Sequence, residues 1–295
     1  MIARLRTIAI ASAVFAAFSV GVPPAEAQTP KRGGTLIVAL ENEPQALAPH
    51  LTTDTPTFTT VSNVYNTLVL LDEKLGIIPD LAKSWTVSPD GLVYTFEIVE
   101  NAKWHDGKPL TSDDVEYSFN ELISKNHPRA GTWWNNVASA KATGKYTFVF
   151  TLKAPYVPFL SVLASPLASG AFIMPKHVYE GKDPKTNAAN QAPIGSGPFK
   201  FVRWQRGSHV ELVRNDQYWK EGKPYLDRLV LQIMPDAAAR FLAFERGEVD
   251  FLHWYIVPYD QVAKLRKDKR FQLLSRGDAA GTNGLMLMNH RHSVL

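Results

Sequence analysis

The sequence contains no cysteine. This absence excludes disulfide bonds and metal sites built on thiolate ligands. The fold must therefore be held together by the burial of apolar side chains. A chain of 295 residues with 45% hydrophobic composition is long enough and apolar enough for that.

The sequence also has little net charge. The formal net charge is +4, and the lysines and arginines are scattered except for a short run at 264–270 that is typical of a solvated helix face. A nucleic-acid-binding groove requires a longer basic stripe with interleaved aromatic residues, and the sequence contains no such stripe. We therefore expect no nucleic-acid partner.

The sequence lacks an apolar run of the roughly 20 residues that a membrane-spanning helix requires. The apolar stretch at 8–22 is shorter and interrupted, follows Arg4 and Arg6, and precedes the A-x-A pattern at 25–27. This arrangement predicts a secretory signal peptide over 1–27, cleaved after Ala27. A lipoprotein would begin its mature chain with cysteine, whereas Gln28 stands at that position. We expect a periplasmic protein that is neither lipid-anchored nor embedded in the membrane.

Apolar patterning predicts a mixture of strands and helices without a regular βαβ rhythm or an internal repeat. Short apolar or alternating runs predict strands at 35–40, 92–98, 146–152, 199–203, 209–213, 229–234 and 271–275. Helical spacing of apolar residues predicts helices at 56–70, 237–246 and 259–267.

The stretch NAKWHDGKPLTSDD at 101–114 brings one histidine and three carboxylates together. Its Asp-Gly pair at 106–107 is a strong turn signal. Thr111 and Asp114 match a capping box, in which the hydroxyl accepts a hydrogen bond from the amide of Asp114 and the carboxylate accepts one from the amide of Thr111. Helix initiation therefore explains the carboxylates at 113 and 114.

His105 and Asp106 are left as candidate catalytic or metal-binding residues. The sequence contains neither H-E-x-x-H spacing for zinc nor the G-x-S-x-G nucleophile elbow, and GSG at 195–197 fits neither a dinucleotide nor a phosphate loop. We interpret this corner as structural and expect no catalytic residue, no metal site and no cofactor. An exported hydrolase that uses His105 or His253 stays open as a less favoured alternative.

Five segments, in the same order along the chain, resemble family 5 of the bacterial extracellular solute-binding proteins, the dipeptide- and oligopeptide-binding components of ABC importers. They are GGTLIVALENEPQALAPH (33–50), IIPDLAKSWTVSPDGLVYTFEI (77–98), NAKWHDGKPLTSDDVEYSF (101–119), IGSGPFKFVRWQRGSHVELVRNDQYW (194–219) and AARFLAFERGEVDFL (238–252). The resemblance covers residues 33–289.

The resemblance implies a periplasmic binding protein-like fold of mixed α/β (α+β) type, class II and cluster C. It implies a discontinuous first lobe over 28–55 and 186–289, with an inserted α+β domain over 56–185. Residues 290–295 would begin the crossing to a second lobe. Since the sequence stops there, we expect a fragment or a truncated gene model in which the second lobe is missing.

The resemblance also implies a function. Family members capture peptides in a cleft between two lobes and deliver them to an inner-membrane ABC permease complex, so we expect a peptide-binding transport protein that is not an enzyme. The full-length protein is expected to be a monomer. A non-peptide solute such as a nickel chelate, an oligosaccharide or an opine remains an alternative cargo.

The candidate ligand-binding residues follow from the same resemblance, because each lies where the family chain meets the cleft. They are Glu43, Pro44, Gln45, Trp133, Trp134, His253, Trp254, Tyr255, Asn283 and Gly284. For the two tryptophans at 133 and 134, ordinary core packing is the alternative. For the turn at 43–45, the alternative is a surface turn without a ligand. The charge partner of a peptide amine is expected in the missing lobe.

Overall fold

The structure, a computed structural model, describes residues 31–252 and 261–271. Its strands are β1 (Thr35–Leu40), β2 (Val69–Leu71), β3 (Ile77–Pro79), β4 (Ala82–Val87), β5 (Val93–Ile98), β6 (Val137–Gly144), β7 (Thr147–Leu152), β8 (Phe199–Gln205), β9 (His209–Arg214), β10 (Arg228–Ile233) and β11 (Phe251–Leu252).

The helices of the described residues are mostly short. They are α1 (Thr55–Val61), α2 (Ser112–Tyr117), α3 (Ser124–Asn126), α4 (Phe159–Leu163), α5 (Pro166–Ser169), α6 (Lys176–Tyr179), α7 (Ala237–Glu245) and α8 (Val262–Lys267). A π-helical turn, Ser118–Ile123, joins α2 to α3, and 3₁₀ turns lie at Ala130–Thr132, Trp134–Asn136 and Ala188–Asn190.

Strand β1 lies inside a five-stranded sheet with the order β11-β1-β10-β9-β8. It pairs in parallel with β10, from Thr35 opposite Arg228 to Leu40 opposite Ile233, and in parallel with β11. Strand β9 pairs antiparallel with β10, and β8 pairs antiparallel with β9. The continuous apolar run of β1 fits this position, because Val38 and Leu40 pack into one apolar cluster and Ala39 packs into another.

A second sheet, with the order β4-β5-β7-β6, is antiparallel throughout. Alternate residues of β5 and β7 are buried, which directs one face of this sheet into the core. Phe119 packs against that face, with its ring centroid 4.9 Å from that of Phe150 and 6.0 Å from that of Phe148. Strands β2 and β3 form a separate two-stranded sheet.

The strands predicted at 35–40, 92–98, 146–152, 199–203, 209–213 and 229–234 are confirmed, with small differences at their ends. The helix at 237–246 is confirmed as α7, and the one at 259–267 in its described part as α8. The strand predicted at 271–275 lies outside the described residues from 272 onward.

The helix predicted over 56–70 is wrong beyond Val61, where α1 ends. Val64, Tyr65 and Leu68 are each at most 1% exposed. Their segment is not helical because its carbonyl groups bond elsewhere in the fold. The Val64 carbonyl accepts from Gly197 N at 2.8 Å, and the Leu68 carbonyl accepts from Ala82 N at 2.9 Å. A buried turn with an irregular segment after it can therefore mimic helical apolar spacing.

The strands of the two larger sheets come from different sides of the predicted domain boundaries. One uses strands at 35–40 and 199–252, and the other uses strands at 82–152. One cluster of buried apolar residues runs through both sheets. The division into a first lobe and an inserted domain stays a prediction.

Candidate functional site

The carboxyl ends of three neighbouring parallel strands meet at one edge of the five-stranded sheet. Strand β1 ends at Leu40, β10 at Ile233 and β11 at Leu252. The hydrogen bond from Met234 N to the Leu40 carbonyl, at 2.8 Å, ties the first two ends together. Loops that follow parallel strands at such an edge commonly bind ligands. We call this side of the sheet the carboxyl edge.

The turn between β8 and β9 reaches the same edge. Since β9 runs antiparallel to β10, its first residues lie beside the last residues of β10. The Ser208 carbonyl accepts from Ile233 N at 2.8 Å. The chain segment at 205–208 is therefore a fourth contributor to the carboxyl edge.

Glu43, the first of the predicted site residues, lies directly after β1 and is held by the β8–β9 turn. Its Oε1 accepts hydrogen bonds from Trp204 Nε1 at 3.0 Å and from Gly207 N at 3.2 Å. Arg206 Nη1 lies 3.7 Å from the same oxygen. The side chain is 33% exposed, so a fixed carboxylate stands at the carboxyl edge in contact with solvent.

Arg206 completes this group. Its guanidinium lies over the Trp204 ring, 3.4 Å from the ring centroid, and its Nη2 donates to the amide oxygen of Gln191. Stacking on an aromatic face holds a guanidinium in a defined plane. A cation and a carboxylate thus lie side by side at the edge. We call Glu43, Trp204, Arg206 and Gly207 the rim cluster.

The neighbouring predicted residues differ in exposure. Pro44 is buried, whereas Gln45 is exposed. Gln45 Oε1 accepts from Thr52 Oγ1 at 3.4 Å, and Thr52 Oγ1 also accepts from Asp54 N at 3.0 Å. Within the turn at 43–45, Glu43 and Gln45 are the residues that the structure leaves accessible to a ligand.

The structure does not describe His253, Trp254, Tyr255, Asn283 or Gly284, which lie outside the described residues. The first three follow directly in sequence on Leu252, the last residue of β11. Their contact with a ligand stays a prediction.

Trp133 and Trp134 lie in the core around the four-stranded sheet. Trp133 is 2% exposed, with its ring edge-on to Phe119 and tilted against Phe159. Trp134 stacks on Phe119, with an interplanar angle of 9° and a centroid distance of 6.3 Å. This packing supports the core alternative that the sequence left open for both residues, and neither lies among the rim cluster's contacts.

The histidine of the 101–114 corner is held by the loop at 195–197. His105 Nε2 lies 3.0 Å from the Gly197 carbonyl, and its Nδ1 accepts from Gly195 N at 3.2 Å. Burial lowers the pKa of His105 to about 4, so the ring is neutral at pH 7. In that state Nε2 carries the proton and donates it to Gly197, which leaves Nδ1 as the acceptor. Both ring nitrogens are used by the backbone, which supports the structural interpretation.

Asp106 is paired as well. Its Oδ2 lies 2.7 Å from His177 Nε2, and hydrogen bonds from His177 and from the Lys108 amide lower the pKa of Asp106 although its partial burial opposes them. The carboxylate half of the predicted capping box is confirmed, because Asp114 Oδ2 accepts from Thr111 N at 3.0 Å. The corner is thus filled by contacts within the fold.

Sequence reasoning missed Trp204, Arg206 and Gly207. The available signal was a short turn, WQRGS, between two predicted strands. Its place at the carboxyl edge depends on the order and direction of strands β8, β9 and β10, which the sequence pattern does not give. Glu43 is also far in sequence from the other rim-cluster residues, since it is separated from Trp204 by 161 positions.

A separate groove of about 680 Å³ lies on another part of the molecule, between helical residues 113–126 and the segment 176–184. Its lining is polar and carries both signs of charge, including the ion pairs Lys125–Glu121 and Lys176–Glu180. None of the predicted ligand-binding residues lines it.

The described residues contain no group of three or more metal-ligating side chains placed to hold an ion. Among the helices at 31–252 and 261–271, none has the length and apolarity needed to cross a membrane.

Comparison with protein-family models gives a match over residues 76–295 to the middle region of the bacterial extracellular solute-binding proteins, family 5. Among curated proteins, the oligopeptide-binding protein AppA of Bacillus subtilis (strain 168) is 34% identical over 245 residues, which cover 81% of this chain and 44% of AppA. The chain thus spans about half the length of the curated relatives that it matches.

Solved structures give the same fold. AppA in complex with a nonapeptide matches with a TM-score of 0.72 at 32% identity, over 81% of this chain and 47% of AppA. AgaA of A. tumefaciens R10 in complex with agropinic acid matches with a TM-score of 0.72 at 32% identity, over 80% and 46%. NikZ of Campylobacter jejuni in complex with Ni(L-His) gives 0.67 at 29% identity, over 80% and 45%. The architecture is that of periplasmic binding proteins.

Proposed function

The chain belongs to the bacterial extracellular solute-binding proteins, family 5, and from this premise we propose that it captures peptides for an ABC importer. The family is a solute-binding one rather than a catalytic one. Its relatives include proteins named for oligopeptide and dipeptide binding. The proposal gives this chain the role of holding the solute and presenting it to an inner-membrane permease complex.

The observation that carries the proposal is the fixed carboxylate of Glu43 at the carboxyl edge. Glu43 follows a strand whose end meets the ends of β10 and β11, and the predicted aromatic residues at 253–255 follow β11 directly. A peptide backbone needs acceptors for its N–H groups and apolar or aromatic walls for its side chains. The carboxyl edge offers Glu43 as an acceptor, and the residues after β11 are proposed as the walls.

The identity of the cargo is the second part of the proposal. AppA is solved with a nonapeptide, AgaA with agropinic acid and NikZ with Ni(L-His). These relatives support a peptide as the first candidate and an opine or a nickel chelate as the alternatives. All of these solutes carry a carboxylate, and the guanidinium of Arg206 at the edge is chemically suited to contact one.

Isothermal titration calorimetry tests the proposal with five probes: the dipeptide Ala-Ala, the tetrapeptide Ser-Thr-Ser-Ala, a nonapeptide, agropinic acid and Ni(L-His). We expect one of the peptides to bind the chain more tightly than the two non-peptide probes do. Native mass spectrometry of the protein purified without refolding provides a second route, because tightly held cargo co-purifies. Binding of agropinic acid or Ni(L-His) alone would move the assignment to that cargo. Because the second lobe is expected to supply part of the cleft, the titrations use the protein with both lobes, and absence of any binding there would contradict the proposal.

Two variants with the same change of charge separate a role at the site from a general effect. Glu43→Gln removes the fixed carboxylate, whereas Glu73→Gln removes an exposed one in the β2–β3 turn. Loss of one charge-assisted hydrogen bond corresponds to about 2 kcal/mol, or more than tenfold in affinity. We expect that loss for Glu43→Gln and an unchanged affinity for Glu73→Gln.

Export is the third part of the proposal. We infer that residues 1–27 direct secretion and are removed after Ala27, so that the mature protein acts in the periplasm. N-terminal sequencing of protein recovered from the periplasmic fraction of a Gram-negative host should begin at Gln28. Protein recovered from the cytoplasm with Met1 still at its N-terminus would contradict the proposed export and leave the other two parts of the proposal untouched.

A further inference from the structure

The carboxylate of Glu43 is held by donors from a distant turn, rather than by its own loop. Trp204 Nε1 donates to Oε1 at 3.0 Å, and Gly207 N donates to the same oxygen at 3.2 Å. Both donors belong to the β8–β9 hairpin, 161 and 164 positions away in the sequence. These two bonds hold the carboxylate at a defined place on the carboxyl edge.

The Trp204 ring is itself restrained on two sides. One side packs against the main hydrophobic core, and the residue is paired across the hairpin with Val210, which is fully buried. The guanidinium of Arg206 lies on the ring, 3.4 Å from its centroid. The indole N–H therefore points at Glu43 from a ring with little freedom to turn away.

The charges around Glu43 fit the same arrangement. Arg206 Nη1 lies 3.7 Å from Oε1, and its Nη2 bonds to Gln191 on the opposite side. Among the described residues, the indole, the amide and the guanidinium all approach Oε1, which leaves the second carboxylate oxygen, Oε2, for a hydrogen-bond donor of a solute. An amide or ammonium N–H is such a donor.

We propose that Trp204, with the amide of Gly207, is the positioning residue that fixes Glu43 for solute binding at the carboxyl edge. Trp204 acts through Glu43 and does not touch the solute. The inference rests on the proposed function for the identity of the site, whereas the positioning contact exists with or without a solute. Preorganising an acceptor in this way reduces the entropy lost when a ligand is bound.

The first test needs no ligand. The indole N–H of Trp204 is identified in a ¹H–¹⁵N spectrum as the signal that disappears in Trp204→Phe. Its chemical shift and hydrogen-exchange rate are then compared in the wild-type chain and in Glu43→Gln. We expect an upfield shift and faster exchange in Glu43→Gln, because the charged acceptor is replaced by a weaker one. An unchanged Trp204 signal would overturn the proposal.

The second test is a double-mutant cycle on affinity, measured with the tightest-binding of the five probes named above. Trp204→Phe keeps an aromatic ring but removes the indole donor, and should weaken binding about tenfold when Glu43 is present. In the Glu43→Gln background the same change should have little effect, since there is no carboxylate left to position. Equal weakening in both backgrounds would indicate a general structural role and overturn the proposal.

Trp219→Phe is the matched control. The Trp219 indole nitrogen is buried and has no hydrogen-bond partner among the described residues, so its replacement removes an aromatic N–H without the loss of a hydrogen bond. Affinity should be unchanged. If the protein with both lobes binds none of the five probes, the proposed function fails, and the spectrum of Glu43→Gln still decides whether Trp204 positions Glu43.

Discussion

At the scale of single residues, Gly195 leaves the least room for a side chain among the described glycines, where the glycine loop at 195–197 meets the segment after α1. A Cβ atom built on Gly195 would lie 1.8 Å from the Val64 carbonyl oxygen. The Gly197 amide donates to that same oxygen at 2.8 Å, and His105 bonds to both glycines. The loop can take this position only because residue 195 has no side chain.

Gly195→Ala should therefore destabilise the protein by at least about 3 kcal/mol, since the obstructing atom belongs to the backbone and cannot rotate away. Gly144→Ala is the control, because its Cβ would make ordinary contacts of 3.5 and 3.6 Å with Thr147. Its stability should stay within about 1 kcal/mol of the wild type. Urea unfolding of the two variants makes the comparison, and equal stabilities would contradict the close approach.

His105 gives a prediction for pH. Its pKa is lowered by burial from 6.5 to about 4, so between these values the unfolded chain binds a proton that the folded chain does not. Stability is therefore fully present above pH 6.5 and falls as the pH is lowered towards 4, by up to about 3 kcal/mol from this residue. His50 and His127, whose pKa values burial also lowers to about 4, add to the same trend.

Replacing the titrating ring tests the contribution of His105. In His105→Gln, the number of protons taken up on unfolding between pH 4 and pH 6.5 should fall by about one. Urea midpoints measured across that range give the slope. Parallel pH profiles for the wild type and the variant would show that His105 is not buried in its neutral form.

The sequence argues well against a metal-binding or catalytic role for His105, but it does not predict which residues His105 contacts. Missing metal and nucleophile motifs favoured a structural corner, and the hydrogen bonds to Gly195 and Gly197 support that interpretation. Its partners lie about 90 positions away and are backbone atoms, which carry no residue-specific signal. The same limit applies to Trp204, whose contact with Glu43 depends on strand order.

At the scale of secondary-structure elements, the start of α2 is fixed by one buried carboxylate. Asp114 Oδ2 accepts from Thr111 N, and Oδ1 accepts from Lys176 N, each at 3.0 Å. The first bond caps α2, and the second attaches the start of α6 to it. Asp114 is 6% exposed, so water does not replace these bonds easily.

Asp114→Ala should cost about 2 kcal/mol or more, because two backbone amides lose a charged acceptor. Asp113→Ala is a matched control on the same helical turn. Its side chain is exposed, so only the favourable interaction with the helix dipole is lost, about 0.3–1 kcal/mol. Thermal melting of both variants measures the difference, and a larger loss for Asp113→Ala would reverse the assignment of the cap.

Elements with local signals were predicted well, and elements fixed by distant partners were not. Alternation in the segments that form β5 and β7, and the apolar run of β1, are properties of the strands themselves. The segment after Val61 has equally strong helical spacing, yet its carbonyl groups bond to residues near 81 and 197. Tertiary hydrogen bonds therefore override the helical spacing of apolar residues in that segment.

At the scale of the whole molecule, the segments around the two larger sheets are joined by a buried polar network. Asp80, 2% exposed, accepts from Asn66 at 3.0 and 3.1 Å and from Lys220 Nζ at 2.6 Å. Asn66 in turn accepts from Ser196 Oγ at 3.0 Å. Burial raises the pKa of Asp80, and the Lys220 ammonium opposes that shift. The network connects residues before β4 with residues on both sides of β8 and β9.

Lys220→Met removes the only cation recorded at Asp80 in the described residues and should destabilise the chain by about 3 kcal/mol. Because the network joins the segments around both sheets, the two sheets should still unfold in one transition. Lys83→Met, which breaks the exposed pair with Glu100, should cost less than about 1 kcal/mol. Calorimetry distinguishes the cases, and two separated transitions in the wild type would contradict a network that joins the sheets.

We propose that a solute binds at the carboxyl edge, in contact with Glu43 and beside the rim cluster. Hydrogen–deuterium exchange with and without the tightest-binding probe locates the solute, because it maps protection along the chain. We expect protection at 41–47 and 204–208, with unchanged exchange at 113–126 and 176–184, which line the separate groove. Protection of the groove segments with no change at 41–47 would contradict it.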